Sequence, residues 1–129
     1  MVLLVAEVLD LSKHFYLWEP DMASTYKVLG QSAPSATTNT DIYTVPSSTS
    51  AVCSTLAIAN RGASTTFRVA IRPAGASIAN QHYIIYDNYV NQYDTVFLTL
   101  GVTLATTDVV TVYAGAATLS FSLFGSEIS

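Results

Sequence analysis

The chain carries very little charge. Only 11% of its 129 residues are Asp, Glu, Lys or Arg, against about 25% in typical soluble domains. Five cationic side chains and a formal net charge of −4 do not supply the dense basic patch that binds nucleic acid or anionic membranes, so we expect neither partner. A monomer with so few charges would have low solubility, and we therefore expect other subunits to cover much of its surface.

Residues that perform chemistry are also scarce. Cys53 is the single cysteine, so no internal disulfide can form, and His82 is the only histidine after residue 21. The sequence has no metal-ligand spacing such as CxxC or HExxH, no GxSxG motif and no glycine-rich phosphate loop. A triad of His82, Asp87 and a serine can be drawn on paper, but such combinations arise by chance in a Ser-rich chain. We expect no catalytic residue, no metal site and no cofactor.

Residues 1–21 differ from the rest of the chain. Their apolar run is interrupted by Glu7 and Asp10 and is too short to span a bilayer, which argues against a signal peptide or membrane anchor. Two interpretations stay open: an N-terminal arm or short helix that packs on a neighbouring subunit, or a leader that arises from a start upstream of Met22. The domain itself is predicted to span residues 22–129. One helix face is predicted from the spacing of Leu4, Val8, Leu11, Phe15 and Trp18.

The rest of the chain consists of short runs rich in β-branched and aromatic residues, separated by Ser, Thr, Gly, Asn and Asp clusters. This pattern predicts an all-β fold, a single antiparallel β-sandwich or jelly roll of about eight strands. The predicted strands are Tyr26–Leu29, Ile42–Val45, Ala51–Asn60, Thr65–Arg72, Gln81–Tyr86, Thr95–Leu100, Asp108–Ala114 and Thr118–Phe124.

Two of these runs alternate with a period of two and predict a half-buried hairpin, Ala51–Asn60 with Thr65–Arg72. In the second run, Arg68 and Arg72 share one face, where they are candidates for ion pairs with acidic residues of another subunit. In the first run, one face is predicted to contain Val52, Ser54, Leu56 and Ile58.

Tyrosine is concentrated in one segment, because half of the eight tyrosines lie between His82 and Asp94. Tyrosine combines a large apolar area with a polar tip, which favours it at protein interfaces and on carbohydrate-binding surfaces. Three roles stay open: packing of a loop on the domain, a subunit interface, or contact with a host receptor or glycan. The candidate loop comprises Tyr83, Tyr86, Asn88, Tyr89, Asn91 and Tyr93.

Nearly all of residues 22–129 resemble small β-sandwich virion structural proteins of tailed bacteriophages, including those of marine and cyanobacterial hosts. The resemblance is moderately specific in the Tyr-Thr-Val-Pro sequence at Tyr43–Pro46 and the Asn-Arg-Gly turn at Asn60–Gly62, and residues 1–21 depart from it. It implies a virion component without catalytic residues. The other segments that carry it are 26–31, 54–59, 67–73, 98–104 and 107–114.

Three hypotheses about function follow. The first is a non-enzymatic virion protein, a capsid decoration or cement protein that binds itself and other virion proteins, notably the major capsid protein. The alternative is a tail, baseplate or fibre component whose Tyr-rich loop contacts a host receptor or glycan. The third, a small hydrolase, lacks any supporting set of residues.

Overall fold

A computed structural model describes residues 23–129 of the chain, and most of them lie in eight β-strands. Two short 3-10 turns, Pro73–Gly75 and Asn80–His82, connect β4 to β5. The strands are β1 (Ser24–Ser32), β2 (Thr40–Thr44), β3 (Ser50–Asn60), β4 (Thr65–Arg72), β5 (Tyr83–Val90), β6 (Thr95–Leu104), β7 (Val109–Ala114) and β8 (Leu119–Ile128).

The strands form two four-stranded sheets. Sheet A has the order β1-β8-β3-β6 and sheet B the order β2-β7-β4-β5. All neighbouring strands are antiparallel. The pairs β1–β8, β2–β7, β3–β6 and β4–β5 are nested inside one another along the chain, which is the jelly-roll arrangement. The predicted all-β sandwich of eight antiparallel strands is confirmed.

The core lies between the two sheets and is built from the inward-facing residues of each strand. Phe67 of β4 and Phe121 of β8 meet edge to face across the two sheets, with ring centroids 6.2 Å apart, a geometry that aromatic pairs prefer. The other large side chains that are fully buried include Leu56, Ile58, Leu119, Leu123, Val45, Val69, Val90, Val110 and Val112.

The predicted hairpin of Ala51–Asn60 with Thr65–Arg72 is wrong, because β3 lies in sheet A and β4 in sheet B. Alternation shows that one face of each strand is buried, but it does not show which strand lies beside it. The buried Asn60 side chain organises the crossing between the sheets. Its amide donates to the carbonyls of Ala63, Val90 and Asn91, and its carbonyl oxygen accepts from the Gly62 amide and the Thr118 hydroxyl.

The predicted face of β3 is also wrong, because the strand is irregular between Cys53 and Thr55. Before this irregularity Cys53 faces the core, and after it Leu56 and Ile58 do. One extra residue in a strand reverses the alternation. Val52 and Ser54 therefore lie on the outer side.

The predicted strand Gln81–Tyr86 is confirmed in part and continues further than expected, because β5 runs from Tyr83 to Val90 and includes Asn88 and Tyr89 of the candidate loop. Asp87, the first residue after the predicted strand, has φ +53 and lies where the β5 register shifts against β4. A β-bulge accepts an Asp in this left-handed conformation, so the strand continues through it.

Candidate functional site

On the outer face of sheet A, β8, β3 and β6 carry no charged side chain of their own, and the Arg61 guanidinium reaches this face at one end, where it donates to the Ser120 hydroxyl at 3.0 Å. Small side chains at Ala57 and Ala59 of β3 lie beside hydroxyl side chains of β8 and β6. Lys27 and Glu127 belong to the same sheet and form an ion pair. The Glu127 carboxylate also accepts from the Tyr43 hydroxyl of sheet B, at one end of the sandwich. The hydroxyl residues of the outer face are Ser54, Thr55, Thr95, Thr99, Thr103, Ser120, Ser122 and Ser126.

A shallow open groove of about 550 Å³ crosses this face next to β1. Beside this groove, Gly125 lets β8 lie close to β3, because a Cβ atom at that position would lie 2.0 Å from the Val52 carbonyl oxygen. Substitution of Gly125 would therefore push β8 away from β3. The apolar lining comes from Tyr26, Val28, Val52 and Phe124.

The outer face of sheet B contains an arginine held between two aromatic rings. The Arg68 guanidinium lies 4.1 Å from the Tyr86 ring centroid and 4.2 Å from the Tyr113 ring centroid. Its Nε donates to Asp87 Oδ1 at 2.6 Å, and a terminal nitrogen donates to Asp87 Oδ2 at 3.3 Å. Tyr83 contacts the Tyr86 ring edge to face at 5.0 Å. Cation–π contacts and a two-point ion pair thus fix this cluster within the chain.

A second arginine on the same face, Arg72, is bonded entirely within the chain. It donates to Asp41 Oδ1 at 2.8 Å, to the Thr111 hydroxyl at 3.0 Å and to the carbonyls of Gly75 and Ala76. The Thr111 hydroxyl in turn donates to Asp41 at 2.9 Å. Both arginines share one face, as the sequence predicts, and both have carboxylate partners in their own chain.

The carboxylate of Glu127 joins the two sheets at the end of the sandwich. It accepts from the Tyr43 hydroxyl at 2.6 Å and from Lys27 Nζ at 3.0 Å. The hydrogen bond from Tyr43, followed by that from Lys27, holds the pKa of Glu127 below its ordinary value. Burial, followed by the neighbouring carboxylate, raises the pKa of Tyr43. The arrangement is a structural clamp between β1, β2 and β8.

The six residues of the candidate loop do not form one continuous surface. Tyr83 and Tyr86 belong to the Arg68 cluster, whereas the side chains of Tyr89 and Tyr93 are 60% and 73% exposed. Asn88 accepts the Tyr89 amide with its side chain, and the Asn91 carbonyl accepts from Asn60 and Asp94. Tyr86 is also 58% exposed, but its ring holds the Arg68 guanidinium, whereas no such contact engages the rings of Tyr89 and Tyr93 within the described residues.

The remaining reactive groups are engaged in local structure. His82 is buried and its Nδ1 accepts the Ala79 amide. Burial raises the pKa of the Cys53 thiol to about 11, which keeps it protonated. Asp94 accepts the Thr95 amide, and Asp108 accepts the amides of Ala74 and Ala105.

Among residues 23–129, no three His, Cys, Asp or Glu side chains come together as metal ligands would. That part of the chain also contains no helix with the length and apolarity needed to cross a membrane. The predicted helix face of Leu4, Val8, Leu11, Phe15 and Trp18 lies outside the described residues.

Sequence reasoning missed the exposed aromatic residues of sheet A. Phe97 of β6 is 70% exposed and Tyr26 of β1 is 86% exposed. The signal for Phe97 was present, because the apolar Val96 and Leu98 flank it and must share the opposite, core-facing side of the strand. Tyr26 gave no comparable signal, since alternation across the bulge in β1 is interrupted after Val28.

Comparisons with protein-family models, with curated proteins and with solved structures find no match to this chain.

Proposed function

We propose that the chain is a non-enzymatic virion structural protein of a tailed bacteriophage, a capsid decoration protein that is assembled in the host cytoplasm. It binds copies of itself and other virion proteins, with the major capsid protein as the main partner. The observation that carries the proposal is the outer face of sheet A, where uncharged small and hydroxyl side chains such as Ala57 and Ser122 surround exposed aromatic rings.

Three properties of this face suit a covered subunit. Its three adjacent strands carry no charged side chain on this side, so burial of the area away from Arg61 leaves no ionised group without water or a partner. Its side chains are short, so another protein surface can approach the sheet closely. The aromatic rings of Tyr26 and Phe97 stand at its two edges, and exposed aromatic residues are typical anchors of interfaces.

Two further observations support the proposal. The reactive side chains of the described residues, including His82 and the carboxylates, are committed to hydrogen bonds that hold turns and sheets together. The jelly roll is used by viral capsid proteins and also by lectins, so the fold agrees with a virion role by analogy. The sequence resemblance to phage virion proteins selects the first of these uses.

The test is the number and position of copies in purified particles of the phage that carries this sequence. Quantitative mass spectrometry against the major capsid protein is expected to give hundreds of copies, and antibody labelling is expected over the whole capsid surface. A few to some dozens of copies at one vertex would contradict decoration and would favour a tail location. Absence from the particle would overturn the virion role itself.

The second candidate is a tail, baseplate or fibre subunit that contacts a host glycan. Tyr89 and Tyr93 favour it, because their exposed rings are of the kind that stack on sugars. Particles with both residues replaced by Ala are expected to lose host adsorption if this candidate is correct. The control is Tyr26→Ala, which removes an even more exposed ring from sheet A. Unchanged adsorption of the double variant would exclude the glycan role for these rings.

A further inference from the structure

The four edge strands of the sandwich differ in how they are protected from other strands. Natural proteins block an exposed edge with charge, proline, bulges or a short strand. In this protein β1 contains Lys27, β2 has only five residues, and β5 carries the bulge at Asp87. The fourth edge, β6, has ten residues without a charged side chain or proline. It is therefore the edge on which another strand can be added.

The peptide groups that β6 leaves open follow from its register with β3. The Asn60 amide donates to the Asp94 carbonyl at 2.8 Å, and peptide groups in an antiparallel pair alternate between facing the partner and facing away. In the same register, the next bonded pairs are Ile58 with Val96 and Leu56 with Leu98. The residues whose peptide groups face away from β3 are therefore Thr95, Phe97 and Thr99.

The same three residues also expose their side chains. Thr95, Phe97 and Thr99 are exposed on the outer face of sheet A, with Phe97 the largest of them. The Thr95 amide is the one open donor with an internal partner, because Asp94 Oδ1 accepts it at 2.8 Å. The irregularity of β6 lies beyond this segment, at Gly101 with φ +64. Open backbone groups and an exposed aromatic ring thus coincide on a regular stretch of strand.

We propose that β6 pairs with β6 of a second copy of the chain, antiparallel to it, about a two-fold axis at Phe97. In this register Phe97 exchanges two backbone hydrogen bonds with the partner subunit's Phe97. Thr95 lies opposite Thr99 of the partner subunit, and Asp94 lies opposite the partner subunit's Leu100, so no like charges face each other.

A second copy suits this edge better than an unrelated strand because the segment is complementary to itself. The outward peptide groups of Thr95 and Thr99 lie at equal distances on either side of Phe97, as a two-fold contact requires of a patch that serves both subunits. On pairing, the Thr95 amide exchanges Asp94 Oδ1 for the carbonyl of the partner subunit's Thr99. The pairing joins two sheets A into one continuous eight-stranded sheet. It also doubles the uncharged outer face and sets the two Phe97 rings side by side at its centre.

This inference rests on the self-binding part of the proposed function and names the strand that performs it. The contact is small for a specific interface, so weak association is expected. Sedimentation equilibrium of the full chain is therefore expected to show a monomer–dimer equilibrium at sub-millimolar concentrations. A chain that stays monomeric throughout that range would overturn the proposal.

A cysteine at the axis tests the register. Cα atoms of a hydrogen-bonded antiparallel pair lie about 5.5 Å apart, which a disulfide can span, so Phe97→Cys is expected to give a covalent dimer on mild oxidation. Thr95→Cys is the matched control, because the two Thr95 positions are separated along the strands by about 14 Å. The native Cys53 is buried and is not expected to form a cross-link. Equal cross-linking of both variants, or cross-linking of Thr95→Cys alone, would contradict the register.

Charge at the axis tests the edge itself. Phe97→Lys places two ammonium groups opposite each other and is expected to abolish the dimer while leaving the circular dichroism spectrum unchanged. Tyr26→Lys makes the same change at the opposite edge of the sheet and is expected to keep the dimer. If the Phe97→Lys chain still forms the dimer, another surface mediates it. Slow hydrogen exchange of the Phe97 and Thr99 amides in a monomeric chain would show that its own residues outside 23–129 cover β6, and would also overturn the proposal.

The outcomes separate this inference from the virion role. A dimer through Phe97 from a chain that is absent from particles would keep the inference and remove the function. Hundreds of copies on the capsid, with a purified chain that shows no β6 pairing, would do the reverse.

Discussion

The outer faces of sheet A and sheet B differ in where their polar groups find partners. On sheet B, Arg68 and Arg72 are bonded to Asp87 and Asp41 of the same chain, and aromatic rings cover the first of them. On sheet A the outer sides of β8, β3 and β6 carry no charged side chain of their own, Tyr26 and Phe97 are exposed at its two edges, and the β6 edge is unpaired within residues 23–129. The same core thus carries one outer face whose arginines are paired within the chain and one that we propose is covered by other proteins.

Ala57 and Ala70 show the difference at matched positions. Both are alanines on the outer side of a central strand, β3 in sheet A and β4 in sheet B. Ala70, between Arg68 and Arg72, is only 1% exposed, because its neighbours close over it. Ala57 keeps partial exposure. Long side chains on sheet B thus do within the chain what we propose a second protein does on sheet A.

The largest expected effect is on the crossing between the two sheets, because both outer faces depend on the sandwich being intact. Asn60→Ala deletes five hydrogen bonds of a buried side chain. Because several buried groups would then lack partners, we expect a loss of about 3 to 4 kcal/mol in the free energy of unfolding, measured in urea. Asn88→Ala is the control, since its exposed side chain accepts only the adjacent Tyr89 amide. A loss below about 1 kcal/mol for Asn60→Ala would show that water replaces the lost bonds.

The next effect tests whether sheet B is complete within the chain. Arg72→Met keeps the apolar stem but leaves Asp41 and the buried Thr111 without their guanidinium partner. We expect a loss of about 2 kcal/mol, measured by urea unfolding. Arg61→Met is the matched variant beside sheet A, where the exposed Arg61 bonds to Ser120 and Ala117. Its expected loss is below about 1 kcal/mol, and equal losses would remove the distinction between the faces.

The difference between the faces could be predicted from sequence only in part. Alternation placed Arg68 and Arg72 on one face and predicted the sandwich correctly, because period-two burial is a local property of a strand. Sheet membership is not local: β3 and β4 look like a hairpin, yet the Asn60 side chain directs the chain from one sheet to the other. The predicted strand ended at Tyr86, just before Asp87, because the preference of Asp for the left-handed conformation serves a turn and a bulge equally.

The ion-pair and hydrogen-bond partners of these side chains could not be predicted from the sequence either. Arg68 and Asp87 are 19 positions apart, and Tyr43 and Glu127 are 84 apart. No spacing rule connects them, since the jelly roll brings them together only through its nested strand pairs. The exposed position of Phe97 could have been predicted, whereas its place on a free edge required the strand order of sheet A.

A smaller effect concerns the clamp that joins the two sheets at Glu127. Its pKa is lowered in the folded chain, so its contribution to stability is present above the pKa of the unfolded chain and is lost as pH falls through the folded value. We expect about 1 kcal/mol to disappear in acid. Unfolding of the native chain and of Glu127→Gln is compared from pH 7 to strong acid. The difference in stability is expected to shrink as pH falls, and a constant difference would show that the carboxylate charge does not matter.

The smallest effect on the isolated chain is expected at Ala57, and it gives the clearest contrast between the faces. Ala57→Lys places a charge on the open face of sheet A, where the side chain can extend into water, so the free energy of unfolding should change by less than about 0.5 kcal/mol. Ala70→Lys on sheet B must displace the side chains that close over Ala70, and a loss of about 2 kcal/mol is expected. Incorporation into particles should not follow stability. The Ala57→Lys chain is stable but is expected to be incorporated poorly, because assembly would bury an unpaired ammonium group. Normal incorporation of Ala57→Lys would show that the uncharged face of sheet A stays in contact with water, and that the low charge of the chain has another cause.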